Sequence, residues 1–244
     1  MIDWLTQASA DCAAPVKQWL TIEEQAQYAA LKSDKRRHDW CLGRWAAKRL
    51  LQVTLRHRTG ECPPLTALAI HNAPDGAPYA TWDLGKHGEW GAALSLSHTG
   101  DQAFCAVSYE PTPLGADIED VEPRATEFVT DYFTQPEIAF VMHAPSFARD
   151  QHITAIWSAK EAALKALRLG LTVDTRAITC HIQPTRHGPA TWMPFEIETE
   201  SARIPRAPSL RGWWRTLGRY VLTLVAGRAQ AEVSTPAMHA ASVV

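Results

Sequence analysis

The sequence predicts an α+β protein built in two halves, residues 1–110 and 111–244. Helix-like patterns precede strand-like ones up to Tyr109, and beyond it an isolated strand is followed by helices and then by further strands. Between the two runs lies Glu110-Pro111-Thr112-Pro113, whose prolines suit a linker better than a helix interior or a central strand.

In the first half, Thr21-Ile22-Glu23-Glu24 reads as a capping box, with hydroxyl and carboxylate three apart at the start of a short helix. A second helix is predicted from Ser33 to about Leu55, with Trp40, Gly43, Ala47, Leu50 and Leu51 at steps of three and four on its buried side. Arg37, Arg44 and Lys48 form another stripe, and Lys35 and Arg36 crowd the first turn. Such a stripe is either a solvated face or an anion site, which arginine forks and lysine ammonium groups both suit. Turn formers follow at Asn72-Ala73-Pro74-Asp75-Gly76-Ala77-Pro78 and at Asp83-Leu84-Gly85-Lys86-His87-Gly88. Gly91 to Ser97 and Gln102 to Tyr109 read as strands joined by His98-Thr99-Gly100-Asp101.

The second half opens with the extended, apolar segment Leu114-Gly115-Ala116-Asp117-Ile118-Glu119. A helical region lies around Thr134 to His143, and a longer helix containing Trp157 ends at Gly170. Strand-like runs occupy Ala177 to Ile182, Trp192 to Ile197 and Tyr220 to Val225. From about Ala229 the chain offers little core-forming material and reads as a mobile tail. No repeat is visible in the residues themselves.

Composition narrows the function. A net charge of −2 argues against bulk electrostatic coating of nucleic acid. No run approaches 18 apolar residues, and Met1-Ile2-Asp3-Trp4 lacks a basic-then-apolar leader, so neither a membrane span nor a secretory signal is expected. Five cysteines, at 12, 41, 62, 105 and 180, are odd in number and lack metal-site spacing, which fits reduced thiols in a cytoplasmic protein.

Two stretches carry the chemistry. Asp117 and Glu119 alternate along a strand, which aims both carboxylates at one side of it. In Trp157-Ser158-Ala159-Lys160-Glu161-Ala162-Ala163-Leu164-Lys165, Glu161 and Lys165 stand four apart on one helix face. Three carboxylates and an ammonium suit magnesium-assisted transfer of a phosphate-linked group: the acids hold a hard cation and the lysine meets charge on the leaving side. Taken singly, each has a plainer reading. The acids could be charges on an edge strand, the Glu161–Lys165 pair a surface contact worth about 0.2–0.5 kcal/mol, and Trp157 a packing residue in the stripe Ile153, Trp157, Leu164, Leu167.

Together, in this order and at this separation, the stretches resemble the surfactin-type (Sfp-type) 4′-phosphopantetheinyl transferases. That family carries a hydrophobic-Gly-x-Asp-x-Glu motif followed some forty residues later by aromatic-Ser/Thr/Cys-x-Lys-Glu-Ala/Ser-x-x-Lys. Ala116 departs from its usual valine or isoleucine. Leu94-Ser95-Leu96-Ser97-His98-Thr99-Gly100 resembles its Ser-His-Ser/Thr segment, and Asp75-Gly76-Ala77-Pro78-Tyr79 its Gly-Lys-Pro turn, with Ala77 where lysine is usual. The 35–48 segment resembles its amino-terminal basic helix.

The resemblance implies two similar α+β halves with pseudo-twofold symmetry and the active site at their interface. It implies transfer of the 4′-phosphopantetheine arm of coenzyme A to a serine of an apo acyl or peptidyl carrier protein, releasing adenosine 3′,5′-bisphosphate. Asp117, Glu119 and Glu161 would hold Mg2+ or Mn2+. Glu161, directly or through a metal-bound water, would be the base, and Lys165 would offset charge on the bridging oxygen. Lys35, Arg36, Arg44, Gly76, Pro78, Ser97 and His98 would contact the coenzyme A nucleotide and phosphates. The expected enzyme is a monomer with no nucleic-acid or membrane partner. Two other readings stay open: a non-catalytic coenzyme A or carrier-protein binding module, and an ATP-dependent phosphotransferase. The latter lacks any Gly-x-x-x-x-Gly-Lys-Ser/Thr loop.

Overall fold

The structure, a computed structural model, describes residues 1–12, 14–82, 91–110, 112–185, 188–228 and 238–240. It separates into two units, the first over Met1–Thr112 and the second beginning at Pro113.

The first unit runs β1 (Ile2–Ala8), α1 (Ile22–Ala30), α2 (Asp34–Thr59), the hairpin β2 (Leu68–Asn72) and β3 (Pro78–Trp82), then the hairpin β4 (Ala93–Thr99) and β5 (Gln102–Ser108). Strand β5 lies between β1 and β4, antiparallel to both. The α1 capping box forms as expected: the Glu24 amide donates to Thr21 Oγ1 at 3.1 Å and the Thr21 amide to Glu24 Oε2 at 3.0 Å. Helix α2 buries Leu42, Ala46, Ala47, Leu50, Leu51 and Leu55 against Leu68, Ile70, Cys105 and Val107. It runs one turn past the expected end, because Arg56, His57 and Arg58 complement the negative helix terminus. Gly60, at φ 77°, then supplies the left-handed cap. Strand β4 continues through Ser97 and His98, so the turn to β5 is tighter than the expected four-residue connection.

The second unit runs β6 (Leu114–Asp120), α3 (Thr126–Tyr132), α4 (Gln135–His143), α5 (Ser146–Ala166), β7 (Ile178–His181), β8 (Met193–Thr199), β9 (Leu210–Leu217) and β10 (Tyr220–Gly227). Its sheet has the order β6-β10-β9-β8-β7. Helix α5 covers it through Ile153, Ile156, Ala159 and Ala163 above Ile178, Phe195, Trp214, Val221 and Val225.

The units repeat one plan: a strand, helices of which the last is long, a hairpin, and a second hairpin whose final strand pairs antiparallel with the first strand. A buried ion pair repeats with it. Lys48 on α2 is 0% exposed and contacts Glu24, with its Nζ also donating to Trp19 O at 2.9 Å and Leu65 O at 3.1 Å. Lys160 on α5, equally buried, meets Glu137 Oε2 at 2.8 Å and donates to Thr175 O at 3.0 Å and to Ile178 O. The second carboxylate oxygen accepts a strand amide in both: Ile70 N at 3.1 Å for Glu24, and Cys180 N at 2.8 Å for Glu137. The α+β class expected from sequence, and the two similar halves implied by the resemblance, are therefore present.

Two expectations are corrected. The division falls at Thr112/Pro113 rather than at residue 110, and the strand Met238–Ala240, β11, belongs to the first unit, not the second. It lies parallel beside β1 and supplies hydrogen-bonding partners along that strand's other edge. The rest of the expected tail, the 83–88 turn and Pro111 lie outside the described residues.

Candidate active site

Strand β6 and helix α5 build the site, and one glycine lets them meet. A Cβ on Gly115 would fall on the Ala162 carbonyl, with Ala166 N only 2.9 Å away. Ala155, Ala159, Ala162, Ala163 and Ala166 keep α5 narrow, so helix backbone lies directly over strand backbone. On the sheet side, Ser158 Oγ and Thr223 Oγ1 are 2.8 Å apart, and Thr223 is the register partner of Asp117. Because Gly115, Asp117 and Glu119 alternate, the face that meets α5 is the face that carries the acids. Gly115→Ala is expected to cost about 1–3 kcal/mol or more, since neither backbone can yield. A urea melt unchanged from wild type would refute this close approach.

Asp117, Glu119 and Glu161 each place a carboxylate oxygen within 4.8 Å of the others, the one such acidic or thiol–imidazole group among the described residues. Lys165 Nζ lies 2.7 Å from Asp117 Oδ1 and donates to the Ala116 carbonyl at 3.1 Å. Asp117 is fully buried, whereas the Lys165 side chain keeps 31% exposure. Burial, and then the neighbouring Asp117, push the Glu161 carboxyl up to about 7, against the lowering effect of Lys165. Glu119 is pushed up to about 7 by burial and then by Asp117, against Arg124 and a hydrogen bond from Trp157. Three acids thus face Lys165 and an Arg124 shared with Glu122, an excess of negative charge that a hard divalent cation would neutralise. The donor set fits Mg2+ or Mn2+.

A pH effect follows from the same crowding. Between about pH 4.5 and 7 the folded protein holds protons on Glu119 and Glu161 that the unfolded chain releases, so these groups make stability fall as pH rises through that window. Wild type should lose Tm across the window more steeply than Glu161→Gln. Added Mg2+ should raise Tm most at the upper end, because its ligands must be deprotonated. Parallel Tm–pH slopes for the two proteins would contradict the charge crowding.

Two further residues border the acids. Trp157, for which the sequence offered only packing, also hydrogen-bonds Glu119 and stands edge-on to Phe128 and Tyr132. Arg124 lies 3.4 Å from Glu119 and 3.1 Å from Glu122, with its guanidinium over Phe128. No periodicity marked Arg124, which follows Pro123 between β6 and α3.

The expected nucleotide residues all lie in the first unit. Lys35 is exposed and pairs with Asp39 at 2.8 Å, and Arg36 is exposed on the first turn of α2. Arg44 stacks over Trp40 at 3.7 Å, with its Nε 3.9 Å from Glu24. Burial lowers its pKa to about 10. Gly76, at φ 85°, makes the β2–β3 turn, and Pro78 starts β3. Ser97 and His98 sit on β4 opposite Phe104 and Ala103. The basic stripe is not uniform: Lys48 is internal, whereas Lys35 and Arg36 face solvent.

The 4′-phosphopantetheinyl transferase superfamily matches residues 113–225, a span that contains all four β6 and α5 site residues. That match covers just under half of the chain. The chain is 27% identical over 156 residues to the 4′-phosphopantetheinyl transferase psf-1 of Bacillus pumilus, a match covering 62% of this chain and 64% of that protein. It is 24% identical over 116 residues to the 4′-phosphopantetheinyl transferase Sfp of Bacillus subtilis, covering 44% of this chain and 51% of the other. The chain thus matches less than two thirds of the length of either relative. The coenzyme A complex of an acyl-carrier-protein synthase from Chronobacterium ammoniagenes, 20% identical, covers 50% of this chain and 100% of its own at a TM-score of 0.37. Within the matched segment the Gly115 contact holds β6 against α5. No helix among the described residues is long and apolar enough to cross a membrane. All five cysteines are free thiols.

Proposed function

We propose that this protein transfers the 4′-phosphopantetheine arm of coenzyme A to a serine of an apo acyl or peptidyl carrier protein. The observation that carries the reading is the convergence of Asp117, Glu119, Glu161 and Lys165 inside the matched superfamily segment. Asp117, Glu119 and Glu161 would hold Mg2+ or Mn2+, which when bound supplies charge neutralisation to the pyrophosphate.

The chain's own groups do the rest. Glu161 would accept the proton of the attacking serine hydroxyl. The serine oxygen bonds to the phosphorus that bears the pantetheine arm, and the bond from that phosphorus to the bridging oxygen breaks. Lys165, its side chain partly exposed and its ammonium held by Asp117 and the Ala116 carbonyl, would offset charge on the bridging oxygen as it develops there. Adenosine 3′,5′-bisphosphate leaves. Lys35, Arg36, Arg44, Gly76, Pro78, Ser97 and His98 complete the proposal as the contacts to the nucleotide and its phosphates. The reading extends to a monomeric, cytoplasmic enzyme, in keeping with the five free thiols.

Mass spectrometry of an apo carrier protein incubated with coenzyme A, Mg2+ and this protein tests the activity. A mass gain of one phosphopantetheine, abolished by a chelator, is the expected result. Coenzyme A binding with no mass change would leave a non-catalytic binding module instead.

A further inference from the structure

We propose that Lys160, buried and remote from solvent, is a positioning residue that sets the roll of α5 and thereby aims Glu161 at Asp117 and Glu119. The proposal rests on the metal site inferred above. Lys160 gathers three separate elements onto one point of the helix. Glu137, at the start of α4, supplies a carboxylate, the turn before β7 supplies the Thr175 carbonyl, and β7 supplies the Ile178 carbonyl. Glu137 is fixed in turn by the amides of Thr134, at 2.7 Å, and Cys180, at 2.8 Å. The ammonium therefore sits in a rigid socket of oxygens.

Successive residues on a helix project about 100° apart, so anchoring one side chain fixes where the next points. The next residue is Glu161. A small rotation about the α5 axis would carry its carboxylate away from the acidic cluster. Since the contact with β6 is alanine-rich, resistance to it falls to the Ile153 and Ile156 packing, the Ser158–Thr223 hydrogen bonds and the Lys160 socket. A buried ion pair is a poor source of net stability, since desolvation offsets most of the attraction, but it fixes the geometry of the groups it joins.

The first unit supplies a control within the same chain. Lys48 occupies the same kind of socket on α2, with Glu24 and the carbonyls of Trp19 and Leu65, but the residue after it is Arg49. No acidic metal-binding group occurs in that unit among the described residues. The socket thus belongs to the repeated plan, and only in the second unit does it stand next to a metal-site acid.

The test compares Mn2+ binding, followed by electron paramagnetic resonance, in wild type, Lys160→Met, the double variant Glu137→Gln/Lys160→Met, and Lys48→Met. Circular dichroism and thermal melts accompany each. Both Lys160 variants should bind Mn2+ at least about tenfold more weakly, as expected when the support of a metal ligand is removed. Lys48→Met should melt earlier but bind Mn2+ like wild type. In turnover assays kcat should fall in the Lys160 variants while KM for coenzyme A holds. The double variant leaves no unpaired buried carboxylate, so it keeps the comparison open if the single variant does not fold.

Wild-type Mn2+ affinity in a folded Lys160 variant would overturn the proposal. Equal weakening in Lys48→Met would too, since the effect would then be general loss of stability. Failure of both Lys160 variants to fold would make the lysine a determinant of folding alone and overturn it as well. A wild-type protein that binds no Mn2+ would instead reject the metal site itself, and this inference with it.

Discussion

Glu161→Ala is expected to lose transfer activity by about 10²–10⁴-fold, because under the proposed function one side chain would serve as base and as metal ligand. Its stability should move the other way. Burial and Asp117 hold the Glu161 carboxyl near 7, which means the ionised form is unfavourable in the folded protein without a cation. Removing it relieves that repulsion, so the metal-free variant should melt no earlier than wild type at pH 7. Loss of activity with stability retained is the mark of a group kept for chemistry rather than for folding. Asp117→Ala should be equally inactive, but it also frees the Lys165 ammonium from its 2.7 Å partner and so should not gain stability. Carrier modification at the wild-type rate by a folded Glu161→Ala protein would remove both the base and the metal assignment.

Lys165→Ala is expected to lower kcat by about 10²–10³-fold, the usual cost of removing one donor aimed at developing charge. Its KM for coenzyme A should change far less. The reason is geometric: the ammonium is already occupied by Asp117 and the Ala116 carbonyl, so it has limited attraction left for ground-state phosphate. Its contribution grows as the bridging oxygen takes up charge in the transition state. A rise confined to KM would make Lys165 an ordinary phosphate-binding lysine and leave the leaving-group role to another residue.

The candidate site was legible in the sequence because its logic is local. Alternation on β6 and a four-residue step on α5 are read directly from residue order, and both survive in the structure. The α1 capping box and the body of α2 were legible for the same reason. What sequence could not show depends on distant partners. Lys48 looked like a member of a basic stripe because nothing near it in sequence announces Glu24, 24 residues earlier, or the carbonyl of Leu65. The repeat of the two units was hidden likewise: its signature is a buried glutamate–lysine pair whose spacing is 24 residues in one unit and 23 in the other, within otherwise dissimilar sequence. Strand β9 escaped because Gly212 interrupts its apolar run. The structure shows why glycine stands there, since the ring of Phe195 occupies the space a Cβ would need. Strand β1 escaped because Thr6 and Gln7 dilute a short stretch in which Ile2, Trp4 and Leu5 are buried.

The sealed ammonium groups of Lys48 and Lys160 have a practical consequence for watching the protein come apart. An amine-reactive acylating reagent can modify Lys35 or Lys165 in the native state, but it reaches either buried lysine only when the surrounding unit opens. Pulse labelling along a denaturant series, read by peptide mass spectrometry, therefore provides one built-in reporter for each half of the chain. If both lysines become reactive at the same denaturant concentration, the halves unfold as a single cooperative block. Two separate midpoints would instead reveal an intermediate with one half intact, and the reactive lysine would identify which half had been lost.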